Sequence, residues 1–223
     1  MTETRVPIPT LERLATYLRV LLDLHEGGVQ TLSSQAMEHY SGIRAAQFRK
    51  DLSYFGEFGK PGVGYSVSQL IGCIERILHI NREQPILLVG AGNLGAALVG
   101  YPNFRAHRFH ISAVFDNNFV KIGRPFGDLI IEDIARLPEV NARIGARLAI
   151  IAVPANAAQT VADQLVEAGI TGILNFAPTV LKVPPHVFVR NVSFLQELAV
   201  LSYHVAETES PPHLIGGCRH SAI

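Results

Sequence analysis

Three observations predict a mixed α/β fold built in two parts. The first eighty residues carry helical apolar spacing broken by turn residues, whereas from Pro85 onward short β-rich runs alternate with helices. At the junction stands "PILLVGAGNLGAALVG", Pro85 to Gly100, a strand that runs into three spaced glycines and then into a small-residue helix. At 223 residues and 48% hydrophobic content the chain can fill two modest cores. Its apolar runs, such as Leu148 to Val153, fall far short of the roughly 20 residues a spanning helix needs, and "MTETRVPIPT" lacks a signal peptide's apolar core. No membrane association and a cytoplasmic address are therefore expected. Cys73 and Cys218 have no paired spacing, so neither a disulfide framework nor a thiolate metal site is expected. Nineteen basic and nineteen acidic residues cancel, and any attraction for a polyanion has to be local.

The elements follow in order. Thr10 can cap a first helix with Leu11, Leu14, Leu18, Leu21 and Leu22 as its stripe, ending at "HEGG" (His25 to Gly28). Ser33 or Ser34 can cap a second that stops near Tyr40 to Gly42. A third runs from about Ile43 to Gly56, which suits a left-handed C-cap. The glycine-dense "EFGKPGVGYSV", Glu57 to Val67, reads as a turn between two short strands, and Val67, Leu70, Ile71, Ile74, Ile77 and Leu78 face one side of a fourth helix. Three helices, a glycine-rich hairpin and a helix form a winged-helix pattern over residues 1–80.

On the third helix, Ala45, Phe48, Leu52 and Phe55 share one buried face. The opposite face carries Ala46, Lys50 and Ser53, with Arg49 on one flank and Gln47 and Tyr54 on the other. Basic, amide and hydroxyl groups beside a small residue are the types that meet phosphates and base edges in a major groove. The wing adds Lys60 and Tyr65 for the flanking backbone. An ordinary solvated helix face remains the alternative, because Arg44, Arg49, Lys50 and Lys60 against Asp51 and Glu57 leave only two net positive charges.

Past Asn81 to Gln84, "ILLVG", "FHISAVFD", "LIIE", "RLAIIAV", "GILNFA" and "VFVRNV" read as strands. "NLGAALVG", "DIARLPE" and "NAAQTVADQLVEAG" are the helices between them, which gives a Rossmann-like, mainly parallel sheet over 84–192. Within "GAGNLG", Gly90 (with Ala91) ends the strand, Gly92 lets the backbone approach a pyrophosphate, and Gly95 lets the helix opened by Asn93 and Leu94 pack on the sheet. A bare tight turn is the competing reading. Asp116 lies about 20 residues beyond Gly95, where a carboxylate accepts both hydroxyls of an adenosine ribose and repels a 2′-phosphate; the combination favours NAD(H), although a strand-end turn former also fits. Lys121 is placed for the adenine or phosphate region or for solvent alone. Val153 and Pro154, in "AVPANAAQ", and the "NFAP" loop (Asn175 to Pro178) follow later strands and are candidates for the nicotinamide end, Pro154 equally for starting a helix. Residues 193–206 form a last helix, striped by Leu195, Leu198, Leu201 and Val205, and 207–223 a loose tail.

A dehydrogenase needs a substrate domain and a positioned acid or base, and after Pro178 little chain remains to supply them. An NAD-dependent oxidoreductase with an accessory helical domain, and a DNA-binding protein with a vestigial α/β domain, stay open. On "RKDLSYFG", "GKPGVGY", "GAGNLG" and "LVEAGITGILNFAP" the chain resembles the Rex family, NADH-responsive transcriptional repressors of bacteria, over about Pro7 to Val205. The resemblance implies a non-enzymatic homodimer that binds a palindromic double-stranded DNA operator and leaves it when NADH binds. It implies that the C-terminal helix is exchanged between subunits. It places Tyr101 near the nicotinamide and Phe194 beside the partner's cofactor, and pairs Arg19 in the NADH-bound state with an acid just before that phenylalanine. Here Ser193 holds the acid's position, and "SFLQ" reads as a capping box.

Overall fold

The computed structural model describes residues 6–59, 62–102, 104 and 107–209, the last three by backbone alone. The chain forms two compact units, Met1–Gln84 with Asn103–His110, and Pro85–Pro102 with Ile111–Ile223.

In the first unit, α1 (Ile8–Glu26) leads to a short strand β1 (Thr31–Leu32), then α2 (Ser34–Ser41), α3 (Ala45–Ser53), β2 (Tyr65–Ser66) and α4 (Val67–Ile77). Leu14, Tyr17, Leu18, Leu21, Met37, Phe48, Leu52, Leu70 and Ile74 make its core, the helical stripes meeting as their spacing requires. Ser33 caps α2 through the Ala36 N–H (3.0 Å), and Glu38 of α2 accepts the Ala45 N–H (2.9 Å), which ties the start of α3 to α2.

Local detail departs from expectation in three places. The N-cap of α1 is Pro7, and Thr10 is buried inside the helix with its hydroxyl on Asp51. The third helix stops at Ser53; Gly56 does have a positive φ of 123°, but three residues after the helix has ended. Among the described residues only one strand borders the glycine-rich segment, and it pairs antiparallel with β1, between α1 and α2, rather than with a strand at Glu57.

The second unit contains β3 (Gln84–Val89), α5 (Asn93–Val99), β4 (Phe109–Asp116), β5 (Pro125–Phe126), β6 (Leu129–Asp133), α6 (Leu137–Ile144), β7 (Leu148–Ile151), α7 (Ala155–Glu167), β8 (Gly172–Asn175), β9 (Phe188–Asn191) and α8 (Phe194–Glu209). The sheet order is β5-β6-β4-β3-β7-β8-β9, with β5 an antiparallel edge. Without that edge this is the doubly wound order, whose reversal between β3 and β4 on one side and β7 on the other opens a crevice at the strands' carboxyl ends. Leu87, Val89, Phe115, Ile151, Ala158, Ala162, Leu165 and Ile173 form the core. "DIARLPE" is a 3₁₀ turn, Ile134–Arg136, leading into α6; Pro138 sits in the first turn of α6, where its missing N–H costs nothing. Among the described residues no helix is long and apolar enough to cross a membrane.

Candidate functional site

Two sites stand out, one in each unit. In the second, the glycine loop joins β3 to α5. Gly90 has φ 112°, and a Cβ there would strike the Ala152 carbonyl; a Cβ on Gly95 would strike the Gly90 carbonyl. Both positions therefore demand glycine for geometry internal to the fold. Gly92 is different: a Cβ would meet nothing within 4 Å, and the residue is exposed, as is Asn93. Its bare backbone is open to a ligand.

Asp116, at the end of β4, is buried beside this loop. Its Oδ2 accepts the Ala91 N–H (3.0 Å) and the Lys121 ammonium (3.0 Å), and its Oδ1 accepts the Asn118 N–H (2.9 Å). Burial alone would raise this carboxyl, but the Asn118 N–H, Lys121 and the Ala91 N–H outweigh it and hold it below the usual carboxylate range. Lys121 thus lies on Asp116. Half-buried Leu94 follows on α5, and Tyr101, just past its end, is exposed.

Of the later loops, Val153 lies close to Gly90, whose added Cβ would come within 3.1 Å of it, and exposed Pro154 is the N-cap of α7. Asn175 is fully buried and donates to the carbonyls of Ala177 and Thr179 and to Asn191, so its side chain holds the loop after β8. Phe176 beside it meets Phe194 at a ring separation of 6.3 Å. Ser193 acts as a helix cap: its hydroxyl accepts the Gln196 N–H at 3.3 Å. Beyond it Leu195, Leu198, Leu201 and Val205 are all more than half exposed.

In the first unit, Arg44, Ala46, Arg49, Lys50, Ser53 and Tyr54 are exposed on and beside α3, with Phe48 and Leu52 buried beneath. Arg49 donates to Ser34 of α2 (2.7 Å), which fixes its guanidinium against that helix, and the Ser53 hydroxyl turns back to the Lys50 carbonyl. Gln47 donates to Asp51 (2.9 Å), so its amide is engaged within the helix. Tyr65 is half-buried with its ring edge-on to Phe48 at 5.2 Å, which draws it towards the core and away from the outer wing. Lys60 lies outside the described residues. Arg19 is exposed on α1.

The charge count of this face needs correcting. Asp51 is fully buried, its carboxylate gripped by Arg13 Nε (2.6 Å) and Nη2 (2.7 Å), Tyr17 (2.9 Å), Thr10 (3.2 Å) and Gln47. It does not offset the exposed cations of α3. Sequence reasoning missed this cluster because Arg13 and Asp51 are 38 residues apart.

The chain is 48% identical to the redox-sensing transcriptional repressor Rex of Pelotomaculum thermopropionicum, over 94% of this chain and 99% of that one. The chain belongs to the Rex family. The Rex of Chloroflexus aggregans is 46% identical over 91% of this chain and 96% of its own. Among solved structures, the Rex-family repressor RSP in complex with β-NAD⁺ and operator DNA superposes with a TM-score of 0.87 at 35% identity, covering 92% of this chain and 95% of that one. The RSP complex with β-NADH gives 0.83 at 34% identity, covering 92% and 97%. Family models described as "Putative DNA-binding protein N-terminus" and "CoA binding domain" match residues 5–53 and 81–179, the first falling on the helices of the Rex DNA-binding unit and the second on the Rossmann-like sheet.

Proposed function

We infer that this Rex-family repressor binds operator DNA through α3 and reads the redox state of NAD(H) through the crevice beside the glycine loop. The observation that carries the reading is Asp116 beside Ala91 of that loop, in a chain whose other unit exposes Arg44, Arg49 and Lys50 on one helix. Gly90, Ala91, Gly92, Asn93, Leu94 and Gly95 take the pyrophosphate, Asp116 and Lys121 the adenosine ribose, and Val153, Pro154 and Tyr101 the nicotinamide end. A free ribose diol suits a carboxylate, whereas the 3′-phosphate of coenzyme A meets its charge, so the dinucleotide fits better than coenzyme A. On the DNA side Arg44, Arg49, Lys50, Ser53 and Tyr54 hold phosphates and Ala46 admits a base edge, with Lys60 as a further cation for the flanking backbone.

The mechanism is a population shift. The oxidised ring is cationic and the reduced ring neutral, so an apolar pocket containing the partner's Phe194 favours NADH by sparing the site a desolvated charge. A homodimer that joins α8 helices covers the exposed stripe Leu195, Leu198, Leu201 and Val205. Only one angle between its two winged helices matches half-sites about 34–36 Å apart. Ser193 is a cap with no charge, so any contact between it and Arg19 in the NADH-bound state is a single hydrogen bond and not an ion pair. A repressor acting on chromosomal DNA works in the cytoplasm.

Gel shifts on a palindromic operator, with NADH and NAD⁺ added separately, test the reading. NADH is expected to release the DNA and NAD⁺ to leave it bound; equal retention by both would overturn it. Sedimentation of wild type and Leu198→Ser checks the interface, a monomeric wild type being the adverse result.

A further inference from the structure

We propose that Lys121 tempers the selection that Asp116 exerts against a phosphorylated adenosine ribose, and that the Asp116–Lys121 pair is a latent 2′-phosphate site held neutral by the carboxylate. The inference rests on the NAD(H) reading above. Asp116 alone would exclude a 2′-phosphate by charge, but here the acid is not alone: Lys121 lies 3.0 Å from its Oδ2, and the pair carries no net charge.

Of the two side chains the lysine is the accessible one, 38% exposed against 10% for the aspartate. It does not hang on a loose loop. The Asn118 carbonyl accepts the N–H groups of Lys121 (2.9 Å) and Ile122 (3.1 Å), and the Asn118 side chain accepts the Val120 N–H (3.0 Å). The Asn118 N–H in turn donates to Asp116, so one compact turn fixes both members of the pair. An ammonium has three donors, and Asp116 engages one. The remaining donors can meet a ribose hydroxyl or a phosphate equally well; the Asp116 charge decides against the phosphate. A 2′-phosphate brings a charge of nearly −2, so removing the carboxylate's negative charge leaves an unopposed cation at the place where that phosphate would sit.

The test is fluorescence titration of the full chain with NADH and with NADPH, in wild type, Asp116→Asn, Lys121→Met and the double variant. Wild type is expected to prefer NADH. Asp116→Asn is expected to shift the ratio of the two dissociation constants towards NADPH by at least about tenfold, the lower end of what one charge-assisted hydrogen bond contributes. Adding Lys121→Met should erase that gain. Lys121→Met alone leaves the carboxylate with its two backbone donors and no neutralising cation, and should widen the preference for NADH severalfold, a readout that does not depend on how well the Asp116→Asn variant folds.

A ratio unmoved by Lys121→Met, or an Asp116→Asn protein that binds NADH yet gains nothing for NADPH, overturns the proposal and leaves the NAD(H) reading intact. A wild type that binds neither dinucleotide overturns both.

Discussion

Among the described residues, folding buries two acids, Asp51 in the first unit and Asp116 in the second, and it treats them differently. Asp51 is held by side chains alone, four of its donor groups coming from Arg13, Tyr17 and Thr10 of α1, so it ties α1 to α3. Asp116 is held by two backbone N–H groups of neighbouring turns and one lysine that is more than a third exposed. The first is a structural tie with no freedom to exchange partners. The second is a tie whose outer partner, Lys121, stays open to water. A buried carboxylate is thus closed in or left half-open according to where its donors come from.

The comparison breaks most readily at Asp51. Asp51→Ala strands the Arg13 guanidinium and the Tyr17 hydroxyl and should cost about 3–5 kcal/mol in denaturant unfolding of the first unit, with operator binding lost. Asp116→Ala should cost less, about 1–2 kcal/mol, because its lysine returns to water; equal losses at the two acids would refute the distinction. Gly95→Ala drives a Cβ into the Gly90 carbonyl and should cost about 1–3 kcal/mol, weakening NADH binding while leaving operator affinity in the absence of cofactor unchanged.

Titration sharpens the contrast. In both acids the folded carboxyl lies below its usual range, so their contribution is full above about pH 4 and is lost as pH falls through the folded value. For Asp51, burial opposes this and the donors Arg13, Gln47 and Tyr17 prevail. Tyr17 adds an alkaline limb: burial first, then its bond to Asp51, pushes its hydroxyl up, so that contribution is full below about pH 10 and lost as pH rises through the folded value. Circular dichroism against pH should show Tyr17→Phe removing the alkaline limb from the first unit at a cost of about 1–2 kcal/mol near neutrality. The smallest effect belongs to Lys121→Met, which should change stability by less than about 1 kcal/mol while widening the preference for NADH.

Much of this was legible in the sequence, for local reasons. The strand–glycine–helix of Gly90 to Gly95 and the parallel strands announce themselves through composition and spacing, and the stripe of α3 places Phe48 and Leu52 inside. What escaped is non-local or too short to have a period. Thr10 looks like a cap until Asp51, 41 residues away, claims its hydroxyl. β1 and β5 are two residues each and show no alternation. Asn175 braces the loop after β8 because Asn191 and two carbonyls lie around it, a neighbourhood only the folded sheet creates.

The contact between Phe176 and Phe194 makes the final helix a pointer. α8 is 16 residues long, about 24 Å, and it is rooted at one end beside the loop after β8. A tilt of about 10° at that root sweeps its far end through roughly 4 Å. A change the size of one ring's displacement at the Phe176 contact is delivered at the helix's far end as a movement of several ångströms.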